Sequence, residues 1–140
     1  MGNQQLILLV LGTIIVGIAV AVGITEFRSY HDEAVGDEMQ EAVLLMAADA
    51  RQYFEKPKTL GGGEGSFAGY RAPKWAARTP NATYTHGFLA GGQGIFFTGF
   101  AMSMKDQITI SLRHHNGGFL ILWEAGGKFA DRNKTDYIPL

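Results

Sequence analysis

Hydrophobic and polar positions divide the chain into three stretches. From Leu6 to Ile24 nineteen consecutive residues carry no charge, and Glu26 is the first charged side chain. A helix rising about 1.5 Å per residue covers about 29 Å over that length, close to the hydrocarbon thickness of a bilayer. Apolar on every face, such a helix cannot lie on the surface of a soluble domain. It needs lipid or apolar partners around it.

Beyond Gly23 the composition turns charged while the helical period persists. Val35, Met39, Val43, Met46, Ala50 and Phe54 are spaced four, four, three, four and four, and most of the charged residues between Asp32 and Arg51 fall off that stripe. The pattern predicts an amphipathic helix with one buried face. Val35, Met39, Val43, Met46 and Phe54 are its candidates for packing on a sheet. Pro57 ends the helix, with Lys56 and Lys58 beside the negative end of its dipole. From Gln4 to Glu55 the two halves read as one element about 78 Å long. Gly12, Gly17, Gly23 and Gly36 within it suit close helix packing or local unwinding as well as ordinary membrane-helix composition.

The third stretch is β. Thr59 to Ser66, with three consecutive glycines, reads as a flexible, turn-forming connection. Phe67 to Arg71 is expected as a short strand, Pro73 to Arg78 as a single helical turn, and Thr79 to Asn81 as a loop. Four strands follow: Tyr84 to Leu89, Gly94 to Met104, Gln107 to Arg113 and Gly118 to Trp123. Ile108, Ile110 and Leu112 alternate with Thr109 and Ser111, the signature of a half-buried strand. Asn116-Gly117 is a strong type I′ hairpin signal, and short links between consecutive strands predict an antiparallel meander. Phe119 to Trp123 is apolar on both faces, so one face is expected against the long helix and the other against a neighbour. Asp131 to Leu140 is expected to be an irregular polar tail. The predicted fold is α+β, a long N-terminal helix packed on a small C-terminal antiparallel sheet. Its parts are the helix (1–57), the connection (58–83) and the β domain (84–140).

The net charge of −1 hides an asymmetry, which suggests docking between the two parts within or between chains. Residues 26–58 carry eight acidic and four basic side chains, residues 59–140 five and eight. The excess of +3 in the second part is too small to point to nucleic acid. With no cysteine, disulfides, thiol nucleophiles and cysteine-ligated zinc are excluded. The apolar run lacks the basic flank and small-residue cleavage site of a secretory signal. Leu6 stands where an N-myristoylation motif needs Ser or Thr.

The run Ile14-Ile15-Val16-Gly17-Ile18-Ala19-Val20-Ala21-Val22, continuing into an amphipathic half through Phe54, resembles the type IV pilins and type II secretion pseudopilins. The resemblance covers about 50 residues of helix; the β part matches in architecture only. It implies a subunit anchored in the membrane by its apolar half before assembly. That half then forms the filament core, contacts an assembly machinery and leaves the globular domains as the outer shell. Leu6, Leu9, Ile14, Val16, Gly17, Val20 and Ile24 are the core residues it implies. The sequence departs from the family at several points. The proline that often interrupts the family's helix is absent, with Gly23 the nearest candidate for a local melt. One departure is chemical. Family members usually place a glutamate five residues into the mature chain, and if Gly2 marks processing that position is Ile7. Gln4 and Gln5 offer neutral hydrogen bonds in its stead.

No set of side chains reads as catalytic, and no cofactor or metal site is expected. His31 sits on a solvated helix face, His86 is isolated, and His114 and His115 point to opposite faces of a strand. Asp131 to Asp136 lacks the glycine and distal glutamate of a calcium loop. Asn81-Ala82-Thr83 and Asn133-Lys134-Thr135 are sequons in predicted loops, which makes Asn81 and Asn133 the candidate glycosylation sites. The expected function is structural: an extracellular, homopolymeric adhesion filament at the cell surface, whose repeated contacts do not close. The alternative is a single-pass membrane-anchored β domain that binds a ligand or partner without polymerising.

Overall fold

A computed structural model describes residues 2–139. It contains one long helix, α1 (Gly2–Glu55), and five strands: β1 (Ala82–Phe88), β2 (Gly94–Ala101), β3 (Gln107–His115), β4 (Gly118–Ala125) and β5 (Lys134–Pro139). The strands form one sheet in sequence order, every neighbouring pair antiparallel. The chain divides into two compact units, one through Ala34 and one from Val35 onward.

In the second unit the amphipathic part of α1 covers one face of the sheet. Val35, Met39, Val43, Met46, Ala47, Ala50 and Phe54 are buried, and they meet Ile95, Phe97, Ile108, Ile110, Leu112, Phe119, Ile121 and Trp123 in a single core. The register explains which strand residues turn inward. Phe97 pairs with Ile110 and Ile110 with Trp123, while the next pairs, Ser111 with Phe96 and with Leu122, face outward. Each large apolar side chain fully buried here contributes roughly 1.5–3 kcal/mol. On the outer face Thr98 is the one buried polar residue among those described, and its hydroxyl bonds that of Thr109 at 3.0 Å. The fold is α+β, a 54-residue helix whose second half packs on a five-stranded antiparallel sheet.

The turns follow from glycine geometry where geometry demands it. Asn116 and Gly117 both take positive φ, the type I′ conformation that matches strand twist. Gly36 is the one glycine of α1 with a neighbour close by: a Cβ there would lie 2.5 Å from Phe129 Cε1. The 3₁₀ turn Gly127–Arg132 thus seats Phe129 directly on the helix backbone.

Three expectations are corrected. The tail is not irregular: Lys134–Pro139 forms β5 and pairs with β4 from Trp123 to Gly118. Phe67 to Arg71 is not a strand, because Gly69 at φ +87° closes a turn in which the Tyr70 amide donates to the Phe67 carbonyl. Thr59 to Ser66 is a packed cap more than a free connection. The amides of Gly63, Glu64 and Gly65 donate to the carbonyls of Tyr53, Lys56 and Phe54, satisfying acceptors that the helix end leaves open. Strand limits also move: β1 starts at Ala82, and β2 stops at Ala101 before the turn that carries Lys105 and Asp106. Because β5 exists, β4 is an interior strand, and Leu120 and Leu122 on its outer face are half-buried.

Candidate functional site

The largest unpartnered surface among the described residues is the apolar run at the start of α1. The large hydrophobic side chains from Leu6 to Ile24 are between 51% and 67% exposed, including Leu6, Leu9, Ile14, Val16, Val20 and Ile24. An ideal Cβ at Gly12, Gly17 or Gly23 would meet nothing within 4 Å. The helix is long and apolar enough to cross a membrane. Such a surface in water carries a large hydrophobic penalty, so it marks a site that lipid or protein covers.

The polar groups of this region are already satisfied from within. The Thr13 hydroxyl donates to the Val10 carbonyl at 2.8 Å and the Thr25 hydroxyl to the Ala21 carbonyl at 3.1 Å. Back-bonded in this way, neither demands water or a partner side chain when the surface is covered. The first turn holds no acidic residue, so a carboxylate does not complement the positive end of the helix dipole. Just past the run, Phe27 and Tyr30 are strongly exposed. Aromatic side chains of this kind are enriched where a helix leaves hydrocarbon for water.

The second unit exposes a smaller apolar surface that periodicity alone misses. Leu44 and Leu45 lie off the buried stripe and are 46% and 51% exposed, although Glu41 and Asp49 flank them in sequence. Leu44 and Ala48 border a shallow groove whose other wall is Phe119, Ile121 and Ile138. The signal was present as two adjacent leucines on the polar side of an amphipathic helix.

The two sequons differ in setting. The Asn81 amide donates to Glu38 Oε2 at 2.7 Å and its residue is half-buried, whereas Asn133 is exposed and its Oδ1 accepts from the Ala125 amide at 2.5 Å. Thr79 and Asn81 both bond the Glu38 carboxylate, which holds its pKa below the ordinary value. Burial pushes the Tyr70 phenol up, reinforced by its 2.7 Å bond to Asp49, and burial likewise raises Tyr84. Arg132 ties the Gly127–Arg132 turn to α1 through Asp37 at 2.7 Å and Gln40 at 2.9 Å. His114 stacks against Phe54 and Phe119, and His115 beside it is exposed. Among the described residues no group of three or more His, Cys, Asp and Glu side chains is placed to hold a metal. The helix-on-sheet architecture with an apolar first half is consistent with a pilin-like fold. No family model, curated protein or solved structure matches this chain.

Proposed function

We propose that this chain is the structural subunit of an extracellular, helical, pilin-like filament that serves in surface attachment, with no catalytic activity of its own. The subunit sits in the membrane through Leu6 to Ile24 until an assembly machinery withdraws it. It then polymerises with copies of itself, burying Leu6, Leu9, Ile14, Val16, Gly17, Val20 and Ile24 in a dry core. The observation that carries this reading is the exposed, charge-free face of the first unit, with both its threonines bonded internally.

A membrane anchor accounts for that face as well. The exposed Leu44 and Leu45 favour the filament, because they belong to the charged part of α1, where lipid tails do not reach. A neighbouring subunit covers them; a lone anchored domain leaves them wet. Transfer from lipid to a protein core adds little hydrophobic free energy, so packing decides the stability of the fibre. Gly17, with open space around its α-carbon, lets a neighbouring helix approach closely.

Electron microscopy and mass spectrometry of material sheared from the native cells test the reading. Thin unbranched fibres containing this chain with Leu6 to Ile24 intact are the expected result. Val16→Arg and Gly17→Leu should abolish fibres and leave the sheet folded by circular dichroism. A chain found in the membrane fraction and in no fibre refutes polymerisation and leaves the anchored domain.

A further inference from the structure

The polar face at the end of α1 is organised differently from the rest of the helix surface. Asp49, Gln52, Tyr53 and Lys56 recur at i, i+3, i+4 and i+7, so they line up on one side of the last two turns. Opposite them the cap brings Gly61 and the turn after it brings Gly69 and Arg71, with Tyr70 at the base, and the two walls border a cleft of about 330 Å³. That volume lies at the small end of the range for small-molecule sites and has room for one sugar ring. The walls are fixed. Phe67 and Tyr70 are buried, the Tyr53 hydroxyl bonds the Ala68 carbonyl at 3.0 Å, and Gly69 comes so near Tyr53 that a Cβ would sit 3.2 Å from its hydroxyl.

The functional groups facing the cleft are unspent. Tyr70 occupies only Oδ2 of Asp49. Among the described residues the side chains of Gln52, Lys56 and Arg71 have no hydrogen-bond or ion-pair partner, whereas Arg51 and Arg132 bond carboxylates. The cleft therefore offers two cationic donors, one carboxylate oxygen, one amide and the ring of a half-buried tyrosine. This set discriminates between ligand classes. A bare phosphate brings no ring and no array of hydroxyls for Asp49, Gln52 and Tyr53 to hold. A neutral polyol leaves the net positive charge of Lys56, Arg71 and Asp49 unmatched. An apolar molecule covers the tyrosine rings but leaves the polar groups of both walls without partners.

From this geometry we infer that the cleft binds an acidic monosaccharide unit, such as a uronate at the end or along the chain of a surface polysaccharide. Arg71 and Lys56 take its carboxylate, Arg71 through the paired geometry that a guanidinium offers. Vicinal hydroxyls donate to Asp49 Oδ1 and to the Gln52 amide oxygen, and the C–H face of the ring rests against Tyr53. The cleft lies entirely within the second unit of one chain, so the inference does not depend on polymerisation.

Saturation-transfer NMR of the full chain in detergent micelles tests it, with glucuronate and glucose as probes and inorganic phosphate as competitor. Transfer to glucuronate should exceed transfer to glucose. Arg71→Ala and Asp49→Asn should each weaken glucuronate binding about tenfold. Arg113→Ala, which removes an exposed arginine outside the cleft, should leave it unchanged. Circular dichroism checks each fold, and Lys56→Gln carries the same test if Arg71→Ala perturbs it. Absence of transfer, equal transfer to glucose, or binding undiminished by the cleft variants overturns the inference. Displacement of glucuronate by equimolar phosphate assigns the cleft to a simple anion and overturns it too.

Discussion

Glu38 joins the helix to the start of the sheet through the Asn81 amide, and its titration gives that link a pH signature. The Thr79 and Asn81 side chains stabilise its charged form, so the folded carboxyl titrates below its ordinary value of 4.5. The sign follows from linkage. The contribution is complete above the unfolded value and fades as pH falls through the lowered folded one. Thermal unfolding followed between pH 6 and pH 3 should show a loss of stability in acid that Glu38→Gln partly flattens. Gly36 makes an opposite kind of demand, steric in origin. Any side chain there displaces Phe129, itself buried, and reaches Arg132 Nη2. Gly36→Val should cost about 1–3 kcal/mol in denaturant titration, the range for overpacking a filled site. Arg132→Ala, which removes bonds to Asp37 and Gln40 and a ring contact with Phe129, should cost about 1–3 kcal/mol.

The cap and the edge strands show where element structure exceeds its sequence pattern. Gly62 and Gly63 look like linker residues, yet both are buried, and a Cβ would strike the carbonyl oxygen of Lys56 from the first and that of Ser66 from the second. Gly63→Ala should therefore lower the melting temperature although it replaces a residue in a loop, by about 1–3 kcal/mol of stability. The long helix and β3 were legible because Val35 to Phe54 keep a 3.6 period and Ile108 to Leu112 alternate, patterns produced by one-sided burial. β5 was not, since all six of its residues are exposed and no alternation of burial marks them. Thr135, Tyr137 and Ile138 were the only β-forming hint, diluted by Lys134, Asp136 and Pro139. The cleft at the end of α1 was hidden for a different reason: half its wall comes from a loop whose path depends on tertiary contacts. Both outer strands also carry protection. Phe96 covers Gly87 on β1, and Pro139 removes a donor from the last strand.

For the molecule as a whole, the division at Ala34 and Val35 separates two kinds of stability. The second unit has its own buried core, whereas the first exposes its apolar side chains and depends on its surroundings. Substitutions in the first unit should thus move assembly and leave the unfolding of the sheet unchanged. Leu45→Lys is the informative case in the second: half-exposed, it should preserve the fold by circular dichroism. Sedimentation should then show fewer or shorter fibres, an effect that an anchored monomer would not show.

The inward bonding of Thr13 and Thr25 has a mechanical consequence. With those hydroxyls turned back onto Val10 and Ala21, no side chain between Leu6 and Thr25 has a polar hydrogen left to donate to a neighbour. Dispersion and shape alone then set the register between helices. In any bundle built on these helices, a load along the axis would be borne by the fit of side chains and not by directional bonds.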